Sequence, residues 1–229
     1  EHLLSLINDI LDLTSIESGK VNYNPVPADV KNITDSALDI TKGFLTNRDI
    51  NFKIQCEDAK IPNVLADPAR LRDVLVNTLS NAVKFTPDGG TITFEAQCQE
   101  KGGDGYINMR YRISDTGIGM SEEFTKEVFE EFAQEDSGVR TQYHGVGLGM
   151  AIVKKYVDMM GGTISVQSKK HKGTTFTVDI PLEITDKECN KSDTGFSEKV
   201  NLTGVNVLLV EDNELNAEIA TVQLEEFGM

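Results

Sequence analysis

Positive charge is scarce in this sequence, and long apolar runs and paired cysteines are missing. Lys and Arg number 22 against 37 Asp and Glu, a net charge of −15. Such a field repels phosphate polymers and anionic lipid, which argues against nucleic acid and an anionic membrane surface as partners of this stretch. It leaves room for a small anion held by a metal and a few local cations. No run reaches the ~20 apolar residues of a membrane-spanning helix, and no signal peptide opens the chain. The three cysteines include no C-x-x-C pair. Neither a zinc site nor a disulfide framework is supported, and a reducing, cytoplasmic setting is expected. Cys56 and Cys98 fall on the apolar register of alternating segments and are expected to be buried, while Cys189 lies in a polar stretch.

What remains is a soluble, globular composition of 229 residues with 39% hydrophobic and 26% charged residues, enough for one or two domains. The pattern starts in mid-element and stops on Phe227-Gly228-Met229, as a piece of something longer would. Residues 1–20 carry Leu3, Leu4, Ile7, Ile10, Leu11 and Ile16 at helical spacing up to Gly19, a narrow stripe suited to a two-helix seam. A second helix fits 29–48 with Asp29 as its cap. Ile50, Phe52, Ile54 and Cys56 then alternate as a half-buried strand. Asp67-Pro68 opens a third helix whose core face is Leu71, Val74, Leu75, Thr78 and Ala82, closed by Pro87 and Gly89-Gly90.

Two alternating strands follow around a turn at 101–105, the second with Ile107, Met109, Tyr111 and Ile113 inward. Short helices are expected over 121–132, and Phe129 and Phe132 read as core residues at one end of a long polar segment, 133–146. A helix with Ile152, Val153, Tyr156, Val157 and Met160 at core spacing comes next, then two more strands. Residues 184–203 read as a linker. Residues 204–229 read as the first β-α unit of a truncated α/β domain. Strands that alternate polar with apolar have one covered and one wet face. The main body, 21–183, is therefore expected to be an α+β, two-layer α/β sandwich.

Three places could carry chemistry. Asn77, Asn81 and Lys84 stand at i, i+4 and i+7, one stripe about 60° from the Val74 edge of the core face at roughly 100° per residue. An amide oxygen suits Mg²⁺, which takes few protein ligands and fills its shell with phosphate and water. A solvated polar edge ending in a C-terminal lysine explains the same stripe. Asp115 continues the inward register of Ile113, so it is either a carboxylate at the mouth of the core, able to accept from an exocyclic amine, or the start of an Asx-turn. Gly145, Gly147 and Gly149 alternate just before the helix of Ile152 to Met160, after a polar segment holding Arg140 and the lone His144. Such a segment suits a lid, and glycines at a helix start suit a phosphate, but a solvated arginine is as good a reading on its own.

Taken together the motifs are specific. DPARLRDVLVNTLSNAVKFT resembles the N box of sensor histidine kinases, and DTGIGM their G1 box. VFEEFAQ resembles the F box, HGVGLGMAI the G2 box and KGTTFTV the last glycine motif, in the family's order and spacing. The resemblance implies an ATP- and Mg²⁺-binding sandwich of the kind shared with gyrase-type ATPases. It implies that Asp115 accepts from the adenine amine between Gly117 and Gly119, that Phe85 lies against the nucleotide, and that Asn81 ligates Mg²⁺ with Asn77 in support. Lys84, Arg140 and the loop of Gly145, Gly147, Leu148 and Gly149 would face the phosphates. The first helix resembles the second helix of the family's dimerisation hairpin, which implies a homodimer. VNVLLVEDNELN resembles the start of a receiver domain, with Glu211 and Asp212 in its acidic Mg²⁺-binding pair. A hybrid kinase has this order, with a receiver or response regulator as partner. Nothing here matches the phosphoacceptor H-E-x-R-x-P context, and His2 is not that site. A gyrase- or MutL-type ATPase needs a glutamate where Asn77 stands, and a scaffold without activity needs a defect that these boxes do not show.

Overall fold

A computed structural model describes residues 11, 13, 14, 16, 23–56, 61–100, 105–135 and 147–187. All belong to the first of two compact units, Glu1–Lys191 and Ser192–Met229.

Two acidic caps start the long helices. Asp29 accepts from the backbone N–H of Lys31 and Asn32 to open α1 (Val30–Phe44). Asp67 opens α2 (Pro68–Phe85), with Pro68 in the first turn, where its missing N–H has no partner to lose. The Asp67 carboxylate is buried with both oxygens in use: Oδ1 takes Arg70 N and Oδ2 takes Asn24 N. Two shorter helices follow, α3 (Glu122–Glu127), capped by Ser121, and α4 (Gly149–Met159).

Seven strands form one mixed sheet: β1 (Val26–Ala28), β2 (Asn51–Cys56), β3 (Val64–Ala66), β4 (Thr91–Glu100), β5 (Tyr106–Asp115), β6 (Thr163–Lys169) and β7 (Gly173–Ile184). The path runs β1-β3-β7-β5-β4-β2, with β6 also on β7. Strand β7 is the spine. One of its edges pairs with β5 along nearly its whole length, from Ser114↔Thr175 to Tyr106↔Glu183. The other is shared by β6, up to Thr163↔Asp179, and by β3 at Glu183 and Ile184. Among the described strands only β2 runs parallel to its neighbour.

One sheet face buries Ile92, Phe94, Ile107, Met109, Tyr111, Ile113, Phe176, Val178 and Ile180. The core they make includes Leu71, Val74, Leu75 and Leu79 of α2 and Val153, Tyr156 and Val157 of α4. Helix α2 packs between α1 and α4. The opposite face is polar: Glu95, Gln97, Arg110, Arg112, Gln167 and Thr177 line an open concavity there. Asp179 holds Arg110 with both carboxylate oxygens, at 2.8 and 3.2 Å. The two-layer expectation is met.

Several local expectations are not. Helix α1 stops at Phe44, short of Arg48. Strand β2 is a sheet edge with a neighbour on one side only, so Ile54 is 43% exposed and Cys56 is exposed rather than buried; Cys98 is half-buried. Leu13, outside the stripe expected for residues 1–20, is buried, whereas Leu11 within it is 56% exposed. Phe129 packs edge-on against Phe176 at 6.3 Å. Phe132 is 59% exposed and in left-handed backbone, φ 62°, and is no core residue.

Candidate functional site

Asp115 ends β5 in the register of four buried side chains, and the structure keeps it there, half-buried. Its Oδ1 accepts two backbone N–H groups, Gly117 at 2.8 Å and Thr174 at 3.2 Å. Oδ2 has no hydrogen bond among the described residues. Burial pushes the carboxyl above its ordinary value, and the two N–H groups only partly offset that. The result is one oxygen clamped and one left to accept.

The turn after Asp115 is sewn to its surroundings by backbone. Thr116 N donates to Thr91 O, and Thr91 N donates back to Thr116 Oγ1. Ile118 N donates to Phe85 O at 3.2 Å, and Ile118 O accepts from His171 N at 2.6 Å. Met120 N donates to Ser168 Oγ at 2.8 Å. Gly119 has φ +63°, and a Cβ there would overlap the Lys169 carbonyl. Gly117 is pressed as closely onto Phe85 O. Both glycines are thus required by the approach of protein backbone.

The C-terminal end of α2 supplies the next wall. Asn77, Asn81 and Lys84 are half-buried along its edge, as the spacing predicts, and neither asparagine amide is hydrogen-bonded among the described residues. The Lys84 ammonium lies 5.2 Å from the Phe85 ring centroid. No carboxylate among the described residues pairs with it, and burial lowers its pKa. Phe85 is 37% exposed, and Ile118, bonded to it through backbone, is exposed as well. Arg48 closes the helix: Nη1 donates to Val83 O, Nη2 to Thr86 O, and Nε pairs with Asp88.

Gly147, φ +79°, lies against the Phe132–Ala133 backbone, where a Cβ would collide. Leu148 is buried and starts α4 with no side-chain cap, so the first N–H groups of that helix are left for another acceptor. Gly149 differs from Gly147. Among the described residues it has no neighbour that forbids a side chain. Glu135 ties the segment before 136 to the body. Its Oε1 accepts from Ser121 N at 3.0 Å and pairs with Lys170 at 3.1 Å. Burial would raise this carboxyl, but the Ser121 and Lys170 contacts outweigh it and hold it below its ordinary value. Arg140, His144, Gly145, Glu211 and Asp212 lie outside the described residues.

Contacts therefore join Asp115, Gly117, Gly119, Phe85 and Lys84, with Asn77 and Asn81 on the same helix edge and Gly147, Leu148 and Gly149 at the start of the helix packed beside it. Thr174, Ser168 and Arg48 were not legible as site residues. Ser168 did carry a signal: it continues the inward register of Ile164 and Val166 as a polar residue, just as Asp115 continues that of Ile113. Among the described residues no group of His, Cys, Asp and Glu could hold a metal by itself. The two unbonded amides are hard oxygen donors that fit Mg²⁺ only if phosphate and water complete its shell.

Residues 66–184 match the profile of the histidine kinase-, DNA gyrase B- and HSP90-like ATPases. The chain is 37% identical over 224 residues to the autoinducer 2 sensor kinase/phosphatase LuxQ of Vibrio parahaemolyticus, covering 96% of itself and 26% of that protein. It is 40% identical over 182 residues to the circadian input-output histidine kinase CikA of Synechococcus elongatus, covering 79% of itself and 23% of the relative. Among solved structures, full-length ShkA in complex with AMPPNP superposes with a TM-score of 0.68 at 27% identity, over 99% of this chain and 44% of that one. The chain thus spans about a quarter of the length of these curated relatives. With its profile match and its sandwich in agreement, the chain belongs to the histidine kinase-, DNA gyrase B- and HSP90-like ATPase family, as a histidine-kinase catalytic domain.

Proposed function

We propose that this domain binds ATP with Mg²⁺ and, within a hybrid sensor kinase, transfers the γ-phosphoryl group to a histidine supplied by another segment. The carrying observation is Asp115, a half-buried carboxylate with one oxygen clamped by two N–H groups and the other without a hydrogen bond among the described residues, on a turn whose backbone is bonded to Phe85. That arrangement fits a flat base edged by an amine. The ShkA relative was solved with AMPPNP, which supports the same ligand class.

Phosphoryl transfer depends mainly on positioning and on neutralising charge. Lys84 reaches a phosphate from the α2 edge, where its partial burial strengthens the attraction. Asn81 would hold Mg²⁺, with Asn77 in support, and the bound ion would supply neutralisation of the phosphate charge. The open N–H groups at the start of α4, with Gly147, Leu148 and Gly149, meet the anion where the helix dipole also favours it. We assign Gly145 to the same loop and Arg140 to the terminal phosphate on the family resemblance alone, since both lie outside the described residues. We assign the first helix to a dimerising hairpin and Glu211 and Asp212 to the acidic pair of a receiver. The partners are then a second copy of the protein and a receiver or response regulator, in the cytoplasm, with no nucleic acid or membrane contact by this stretch. Residues 184–203 join the two domains.

Calorimetry of ATP into the chain, with Mg²⁺ and with EDTA, tests the assignment beside Asp115→Asn. Binding strengthened by Mg²⁺ and lost in the variant is the expected result. Unchanged affinity in a folded Asp115→Asn protein would remove Asp115 from the site.

A further inference from the structure

We propose that Ser168 is a positioning residue for adenine recognition, acting through Asp115 without touching the nucleotide; the inference rests on Asp115 as the adenine acceptor. Oδ1 of Asp115 is gripped by two arms. Gly117 N belongs to the turn after β5, and Thr174 N to the hairpin of β6 and β7. Any change in the angle between those arms swings the carboxylate and moves its open oxygen. Ser168 ties the same two arms together through its hydroxyl.

A hydroxyl has one proton and two lone pairs. Ser168 Oγ accepts from Met120 N at 2.8 Å, on the turn. It donates to Gly173 O at 3.1 Å, on the hairpin. It also lies 2.9 Å from Thr174 Oγ1. A carbonyl can only accept, so the Ser168 proton goes to Gly173 and Thr174 supplies the proton of the third bond. All three valences are then used, one toward the turn and two toward the hairpin. His171 N→Ile118 O is the backbone bond between the arms, and it lies at the tip of the hairpin. Ser168 makes its bonds one strand pair in from that turn, beside its register partner Thr174. A half-buried polar side chain in an otherwise apolar register is explained by this role.

The test uses the whole chain and two nucleotides, ATP and inosine triphosphate, in which a carbonyl replaces the adenine amine. In Ser168→Ala we expect ATP affinity to fall about tenfold, the scale of one hydrogen bond's worth of fixation. The preference for ATP over the inosine nucleotide should shrink with it. Ser168→Thr, which keeps the hydroxyl, should restore both. A role in stability alone would weaken the two nucleotides equally, so an unchanged ratio in Ser168→Ala, at any melting temperature, overturns the proposal. If Ser168→Ala does not fold, Ser168→Cys keeps the volume with a far weaker hydrogen-bonding group, and the same ratio decides. Asp115→Asn separates the two ideas. If it abolishes the preference while Ser168→Ala keeps it, only the positioning role fails. If Asp115→Asn also keeps it, the adenine assignment itself is wrong.

Discussion

At the scale of the residue, Asp115 couples pH to binding and to stability with opposite signs. Its folded pKa is raised by burial, so ionisation is harder in the folded chain than in the unfolded one. Its contribution to stability is fully present below the unfolded value and is lost as pH rises through the folded value. Accepting from an amine requires the ionised form, so binding behaves in the opposite way. ATP affinity should fall on acidification with a midpoint above the ordinary aspartate value, measurable by calorimetry across the acidic range. Asp115→Asn should bind weakly at every pH, with that acidic step gone. A midpoint at the ordinary value would mean that the pocket does not desolvate the carboxylate.

At the scale of the element, helix α2 is a rod whose two ends do different work. Its start is capped by Asp67 and its end by a guanidinium from outside the helix. Arg48→Ala would leave the Val83 and Thr86 carbonyls without their cation and should cost about 1–2 kcal/mol of stability. Because Phe85 lies between those carbonyls, ATP affinity should drop in the same variant. Denaturant unfolding and calorimetry together check this, and loss of stability with intact affinity would show that the pocket does not depend on the cap. Arg48 also shows what could be read in advance. The long elements were legible because they repeat a period over many residues, and Asp115 because it broke one. Arg48 is 35 to 38 residues from the carbonyls it serves, a distance at which no local pattern operates. Strands β1 and β3 are three residues each, too short to show a period. Ile54 and Cys56 alternate correctly but sit on an edge, and alternation does not say whether a second layer reaches that far. Phe132 is aromatic in a helical-looking stretch, yet its left-handed backbone turns it outward.

At the scale of the whole molecule, an anionic ligand must approach a chain of net charge −15. Repulsion acts at long range and is screened beyond about 10 Å at 0.1 M salt, while Lys84 acts at contact from a partly buried position and is screened less. The rate of ATP association should therefore rise between low and physiological ionic strength, the reverse of the trend at a basic site. Stopped-flow mixing over that range measures it, and a falling rate would mean that local cations outweigh the global field in steering.

The split edge of β7 bears on how the domain is made. During synthesis β4 and β5 leave the ribosome early and can form a hairpin, but the inner edge of β5 must wait for the last strand of the sheet. Strands β3 and β6 wait for it too, and so does Asp115, whose second N–H donor is Thr174 near the start of β7. A nascent chain halted before residue 173 would hold most of the helical layer and no pocket, with an unpaired strand facing water. Translation rate over that interval, and any chaperone that shields β5, would set how much of the protein reaches an ATP-competent form.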